Sequence, residues 1–289
     1  MNRTLKFIFN HPFTRNNRIS GIVDLVIWQI RSRLTTKPIK YQFTEKSKLM
    51  VTKGLAGATG NIYCGLHEFE DMGFLLHVLR KDDLFLDVGA NIGSYSILAS
   101  AEIGAKTIAF EPIAHTYHIL KQNIAVNKIE ERVEALNIGV GSNKGVLKFI
   151  DTMDTCNHVS SDSVEGTEVN VDTLDNVLNG RSPLLLKIDV EGFETEVLEG
   201  AAKCLKDPVL KAIIIELNGD GSRYGYEDSD IHKLLIEHGF STFTYDPFKR
   251  ILKEEPGTGH LNTLYVRDID FVQERVSNSR KVRVKNKAF

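Results

Sequence analysis

Cysteine is scarce in this chain. Its three thiols, Cys64, Cys156 and Cys204, are scattered without a CxxC spacing, and three cannot all pair within one chain, which excludes a disulfide framework. A reducing compartment follows, and cytoplasm is the expected location. A long apolar run is missing too. Ile22–Ile30 is nine residues long and contains Asp24, too short and too polar to span a bilayer and poorly placed for a signal peptide. Charge of one sign is also lacking: 36 Lys and Arg face 38 Asp and Glu, so the net charge of -2 gives no global attraction to nucleic acid. No repeat and no low-complexity linker interrupts the chain.

What is present is enough apolar material, 42% of 289 residues, for one large domain with additions. The charge is unevenly spread. Residues 1–40 carry eight Lys or Arg against Asp24 alone, and Arg275 to Lys287 carry six with no acid. Both ends are expected as solvated runs, with a contact to a glycan-assembly complex or membrane surface as the alternative. Residues 1–65 are expected to be a helical lead-in and a small β cap. Ile22, Leu25, Val26, Ile30 and Leu34 recur at helical spacing before Pro38, and Gly54, Gly57, Gly60 and Gly65 punctuate the hairpin-like stretch that follows. The lead-in helix should pack on the domain or form a homodimer contact. Residues 66–268 form the main domain, and 269–289 a basic C-terminal tail.

From Leu84 the pattern becomes strand, turn, helix in regular succession, which means a mostly parallel sheet. Leu184–Ile188 and Ala212–Leu217 are continuous apolar strands, as a sheet covered on both faces requires. The expected fold class is α/β, a Rossmann-like doubly wound, seven-stranded, mostly parallel sheet.

The stretch LFLDVGANIGSYSILAS puts Asp87 at the carboxyl end of the first strand, with Gly89, Ala90, Asn91 and Gly93 in the turn and a helix from Ser94. Ligands of open α/β sheets sit at such strand ends, where glycine lets the backbone come close. A dinucleotide turn occupies the same place. Two features argue against it: the spacing is G-x-x-x-G rather than G-x-G-x-x-G, and Asp87 would repel a pyrophosphate but attract the ammonium and sulfonium of S-adenosylmethionine. Glu111 ends the second strand twenty-four residues later, before Pro112, where a carboxylate can accept ribose hydroxyls.

A second stretch, LLLKIDVEGFETEVLEGA, interrupts and ends an apolar strand with Lys187, Asp189 and Glu191. Charges are rarely placed there for packing alone, although an ion pair bracing the sheet would also account for them. Glu216 and Asn218 end the next strand over the same crevice. The acids could take a proton from an acceptor hydroxyl, orient it, or hold a divalent cation such as Mg²⁺, for which Asp189, Glu191 and Glu216 are the candidate ligands. Two loops add His158, beside Asp154 and Asn157, and Glu68, beside His67. GLHEFED does not continue into H-E-x-x-H, so no zinc-protease motif is present.

With these residues in hand the chain resembles the FkbM family of S-adenosylmethionine-dependent methyltransferases. DVGANIGSYS, FEP with a helix ending QNIAVN, KIDVEGFETEVLEGA, IIIELN and HLNTLYV follow the family's pattern in order over roughly residues 60–268. The resemblance implies methyl transfer to a hydroxyl of a sugar, glycan or natural product. It implies cofactor contacts at Asp87, Gly89, Asn91, Gly93 and Glu111, joined here by Glu68, Ala90, Ser94, Pro112 and Asp189. Asp189 and Glu191 would lie near the transferred methyl, with Lys187 and His158 as further catalytic candidates. The rivals are a nicotinamide-dependent oxidoreductase on a similar sheet and a silent, partner-binding relative.

Overall fold

The N-terminal segment is helical because its apolar residues repeat at helical spacing and Asn17 accepts the Ser20 amide at its start. The structure, a computed structural model, describes residues 3–150, 158–159, 166–258, 262–285 and 287–289. Helices α1 (Arg3–Asn10) and α2 (Arg18–Leu34) pack on each other, and α2 buries Gly21, Trp28 and Ser32. The cap is a hairpin of β1 (Ile39–Gln42) and β2 (Lys48–Val51), followed by a helix, α3 (Ala56–Cys64), where the glycines had suggested more hairpin.

Helix α4 (Phe69–Val78) leads into β3 (Leu84–Val88). The chain then alternates: α5 (Ser94–Ile97), prolonged by a π-helical turn over Leu98–Ile103, then β4 (Lys106–Phe110), α6 (Ala114–Asn127) and β5 (Val133–Leu136). A four-stranded excursion follows, with β6 (Gly139–Val140), β7 (Gly145–Ile150), β8 (His158–Val159) and β9 (Thr167–Asp172). Helix α7 (Leu174–Leu178), capped by Thr173, returns to β10 (Leu185–Ile188). Helices α8 (Glu194–Glu199) and α9 (Ala202–Lys206), β11 (Ala212–Glu216), α10 (Asp228–Glu237), β12 (Ser241–Asp246), β13 (Ile251–Glu254) and β14 (Asn262–Val266) complete the domain.

The main sheet has the order β5-β4-β3-β10-β11-β14-β12-β13. Its first five strands are parallel and its last three antiparallel to their neighbours. The doubly wound α/β expectation is met, with eight strands rather than seven. The extra one, β13, folds back on β12 through a tight turn at the sheet's edge. Alternate residues feed opposite layers. Phe85, Leu185 and Ile214 face α4, α6 and the last helix, whereas Leu86, Leu186 and Ile213 face α7 to α10.

The C-terminal basic run departs from the expected solvated tail. It folds as α11 (Ile269–Ser277) and a small hairpin, β15 (Arg283–Val284) and β16 (Lys287–Ala288). Val272, Val276, Val282, Val284 and Phe289 are buried, and the cations between them find acids elsewhere: Arg275 with Asp83, Arg280 with Glu102, Lys285 with Asp24. Burial of the interleaved valines decides the outcome. Cys64 and Cys204 are buried thiols, and Cys156 lies outside the described residues. Among the described residues no helix is long and apolar enough to cross a membrane.

Candidate functional site

The carboxyl ends of β3, β4, β10 and β11, with the start of β14, surround a cleft of about 990 Å³, and part of it is lined by Arg3 and Phe7 of α1 and by His11 just after that helix. That is the volume of a small-ligand site. The strands meet there very closely. The Gly89 amide donates to the Phe110 carbonyl at 3.1 Å and the Asp189 amide to Val88 at 3.1 Å, and a Cβ on Gly89 would lie 1.8 Å from the Asp189 carbonyl oxygen. Gly89 also has φ +78°, so glycine is required on two grounds.

Asp87 is almost fully buried, and its Oδ2 accepts both the amide (3.0 Å) and the hydroxyl (2.6 Å) of Ser96 in the first turn of α5. Its Oδ1 is buried at the cleft wall and has no hydrogen-bond partner among the described residues. Burial raises its affinity for a proton; the Lys187 ammonium and the Ser96 bonds oppose that. Glu111 accepts the Asn91 amide (2.8 Å) on one oxygen and the Ile113 amide (2.9 Å) on the other. Burial pushes its carboxyl up to about 7 against those two bonds. A carboxylate has roughly four acceptor sites, so two remain for a ligand.

Ala90, Asn91, Ser94 and Pro112 line the cleft. Gly93 lies behind it, at the left-handed start of α5 with φ +88°, where it permits the turn.

Lys187 points from β10 into a ring of acids. Its Nζ lies 2.8 Å from Asp189 Oδ2 and 4.8 Å from the centre of the Tyr95 ring. Burial is the largest influence and works against the ammonium, but Asp189, Asp87 and Glu68 outweigh it and hold the lysine charged. Burial likewise works against an ionised Asp189, and the Lys187 contact together with a hydrogen bond from Glu216 brings it below its ordinary value. Glu216 moves the other way, raised by burial and by the Asp189 charge, so the proton shared by these two carboxyls resides on Glu216.

The strand ends at Ile188, yet Asp189 and Glu191 still line the cleft with Lys187, Glu191 from a left-handed backbone conformation (φ +56°). Burial, and then Asp189, push Glu191 up to about 7. Asp189, Glu191 and Glu216 can each place one oxygen within 4.8 Å of the others, a spacing a cation could use.

Four residues were not picked out from the sequence. Glu194 accepts the Val190 and Gly192 amides at 3.2 Å and so fixes the turn that carries Glu191. Tyr95 donates to Glu68 at 2.7 Å, and Asn262 bridges Glu68 (3.1 Å) and Asp71 (3.0 Å). Burial, then the Glu68 charge, push Asp71 up to about 7. Tyr95 and Asn262 stood in the motifs GSYS and HLNTLYV, where polar residues beside a buried strand were the available signal. His67 lines the cleft near α1. The backbone of His158 pairs with Ile150; its side chain, like Asp154 and Asn157, lies outside the described residues.

A methyltransferase FkbM domain matches residues 87–242, more than half of the chain. The chain belongs to the FkbM methyltransferase family. This methyltransferase is 31% identical over 172 residues to the hexuronic acid methyltransferase AglP of Haloferax volcanii, which covers 58% of the chain and 67% of AglP. It is 26% identical over 210 residues to the 31-O-demethyl-FK506 methyltransferase FkbM of Streptomyces tacrolimicus, covering 60% and 79%. Among solved structures, a precorrin-6y C5,15-methyltransferase from Geobacter metallireducens aligns over 75% of this chain and 93% of that one, at 12% identity and a TM-score of 0.42. S-adenosylmethionine-dependent methyl transfer is the chemistry of the family. The nicotinamide reading is thereby set aside.

Proposed function

We propose that this FkbM methyltransferase methylates a hydroxyl of a sugar, glycan or related natural product, with Asp189 receiving the hydroxyl proton. The carrying observation is a carboxylate held ionised by a lysine 2.8 Å away, in the same cleft as the ends of β3 and β4. Two relatives whose names state a hexuronic acid and a 31-O-demethyl compound support the substrate class.

S-adenosylmethionine, when bound, supplies a methyl on a sulfonium that leaves as neutral S-adenosylhomocysteine. Asp87, whose buried Oδ1 has no partner among the described residues, suits the cationic end of that molecule, and Glu111, with two acceptor sites left beside its two amide bonds, suits its ribose. The Gly89, Ala90, Asn91 and Ser94 turn and Pro112 form the wall between them. Asp189 orients the acceptor and takes its proton as the oxygen attacks. Lys187 keeps Asp189 ionised, and Glu191 closes the acceptor side. Positioning is worth ~7–11 kcal/mol in such reactions, and a base adds ~10²–10⁴-fold.

Calorimetry tests the cofactor half. S-adenosylhomocysteine should bind and NAD should not, and Glu111→Gln should weaken binding by about 1.5–3 kcal/mol. Because burial holds Glu111 near 7 and ribose hydroxyls favour its ionised form, wild-type affinity should fall as pH drops below 7, approaching about tenfold per unit. Tighter binding of NAD, or a pH-independent affinity unchanged in the variant, would remove these assignments.

The acidic trio is better read as a proton-sharing cluster than as a metal site. The Lys187 ammonium, 2.8 Å from Asp189 Oδ2, already neutralises that carboxylate and occupies the side from which a cation would be held. Turnover should therefore survive a chelator unchanged. Loss with EDTA and recovery with Mg²⁺ would make Asp189, Glu191 and Glu216 metal ligands instead.

A further inference from the structure

Six large apolar side chains of α2 face outward: Ile19, Val23, Val26, Ile27, Ile30 and Leu34. Ile19 is 74% and Leu34 79% exposed, and half of the twelve large hydrophobics exposed among the described residues lie on this one helix. At ~100° per residue they share an arc of roughly 100°. That arc is opposite the face that buries Gly21, Trp28 and Ser32, so α2 is apolar on both sides and only the inner side has a partner in the chain. A continuous exposed stripe of this kind marks an interaction surface.

Its rim is cationic. Arg31 and Arg33 flank the stripe, Arg15 and Arg18 stand at one end and Lys37 and Lys40 at the other, all exposed. Among the described residues none of them forms an ion pair within 4.0 Å. The one acid of the segment, Asp24, is taken by Lys285 at 2.6 Å. A second copy laid on the stripe would set these cations against their own symmetry mates with no carboxylate to answer them. An anionic bilayer offers both apolar depth for the stripe and phosphates for the rim.

We infer that α2 docks this enzyme in the plane of an anionic lipid surface. Helix α1, which lines the cleft with Arg3 and Phe7, adjoins α2, so docking would hold the cleft close to the lipid boundary.

Co-sedimentation of the full chain with phosphatidylcholine vesicles, with and without phosphatidylglycerol, tests this. Binding to the mixed vesicles should exceed binding to neutral ones by about tenfold or more and should fall with added salt. The double substitution Val23→Glu with Ile30→Glu should reduce it by about tenfold or more, and Arg31→Gln with Arg33→Gln by about fivefold per charge. Both variants should keep wild-type affinity for S-adenosylhomocysteine, which reports an intact fold. Failure of the wild type to bind mixed vesicles, or undiminished binding by the Val23→Glu, Ile30→Glu variant, overturns the inference. A dimer in solution that this variant dissociates, with no vesicle binding, assigns the stripe to a second copy.

Discussion

Replacing Asp189 by asparagine is expected to lower kcat by about 10²-fold or more while S-adenosylhomocysteine affinity stays within about threefold. The amide keeps the size and most of the hydrogen bonding of the carboxylate but cannot take a proton from an acceptor. Because Lys187 and Glu216 hold Asp189 below its ordinary carboxylate range against the effect of burial, the wild-type base is ionised through the neutral range, and its own titration should not limit turnover there. The substitution also removes the partner of a buried ammonium, so the melting temperature should fall; Asp87 and Glu68 remain to offset part of that loss.

Glu216→Gln separates chemistry from charge balance. Glutamine imitates the protonated carboxyl that Glu216 presents to Asp189, so turnover should change by only about threefold if Glu216 merely shares its proton. Steady-state kinetics on both variants, with cofactor titrations on the same preparations, give the comparison. Normal turnover by Asp189→Asn would make that residue structural, and a larger defect in Glu216→Gln than in Asp189→Asn would move the base to β11.

Much of this arrangement was legible because parallel strands leave a plain record. A strand covered on both faces must be apolar throughout, so Asp87, Glu111 and Lys187 stand out against Leu86, Phe110 and Leu186. The structure brings all three into one cleft, together with Asp189 and Glu191. Contacts between segments distant in sequence were not legible. Asn262 reaches Glu68 and Asp71 across about the whole domain length in sequence, and its polar place at the start of a buried strand marks it locally without naming those partners. The C-terminal run misled for a related reason. Its lysines and arginines dominate its composition, while the spacing of Val272, Val276, Val282 and Val284 that buries it becomes meaningful only once α4 and the lead-in are there to pack against. The edge strand β13 was missed because four residues with one buried side chain carry almost no periodicity.

The most damaging small change should be Gly89→Ala. One methyl there meets two separate penalties. At φ +78° alanine costs about 1–2 kcal/mol of backbone strain, and its Cβ would lie 1.8 Å from the Asp189 carbonyl oxygen. That oxygen cannot swing aside, since the Asp189 amide is tied to Val88 and the Gly89 and Ala90 amides to Phe110, locking the ends of β3, β4 and β10 together. Relief therefore requires the strand ends to separate, which moves Asp189 away from Asp87 and Glu111; a displacement of about 1 Å can cost 10²-fold in rate. Cofactor affinity and turnover should both fall by about 10²-fold or more. Gly93→Ala is the matched control. Its φ of +88° imposes a similar backbone cost, but its Cβ would meet Leu120 Cδ1 at 2.4 Å, the far end of a flexible side chain that can rotate. That variant should lose stability yet retain most of its cofactor affinity when assayed below its melting temperature. Equal cofactor affinities for the two variants would show that strain alone governs the turn. Near wild-type binding by Gly89→Ala would show that the contact between β3 and β10 does not position the site.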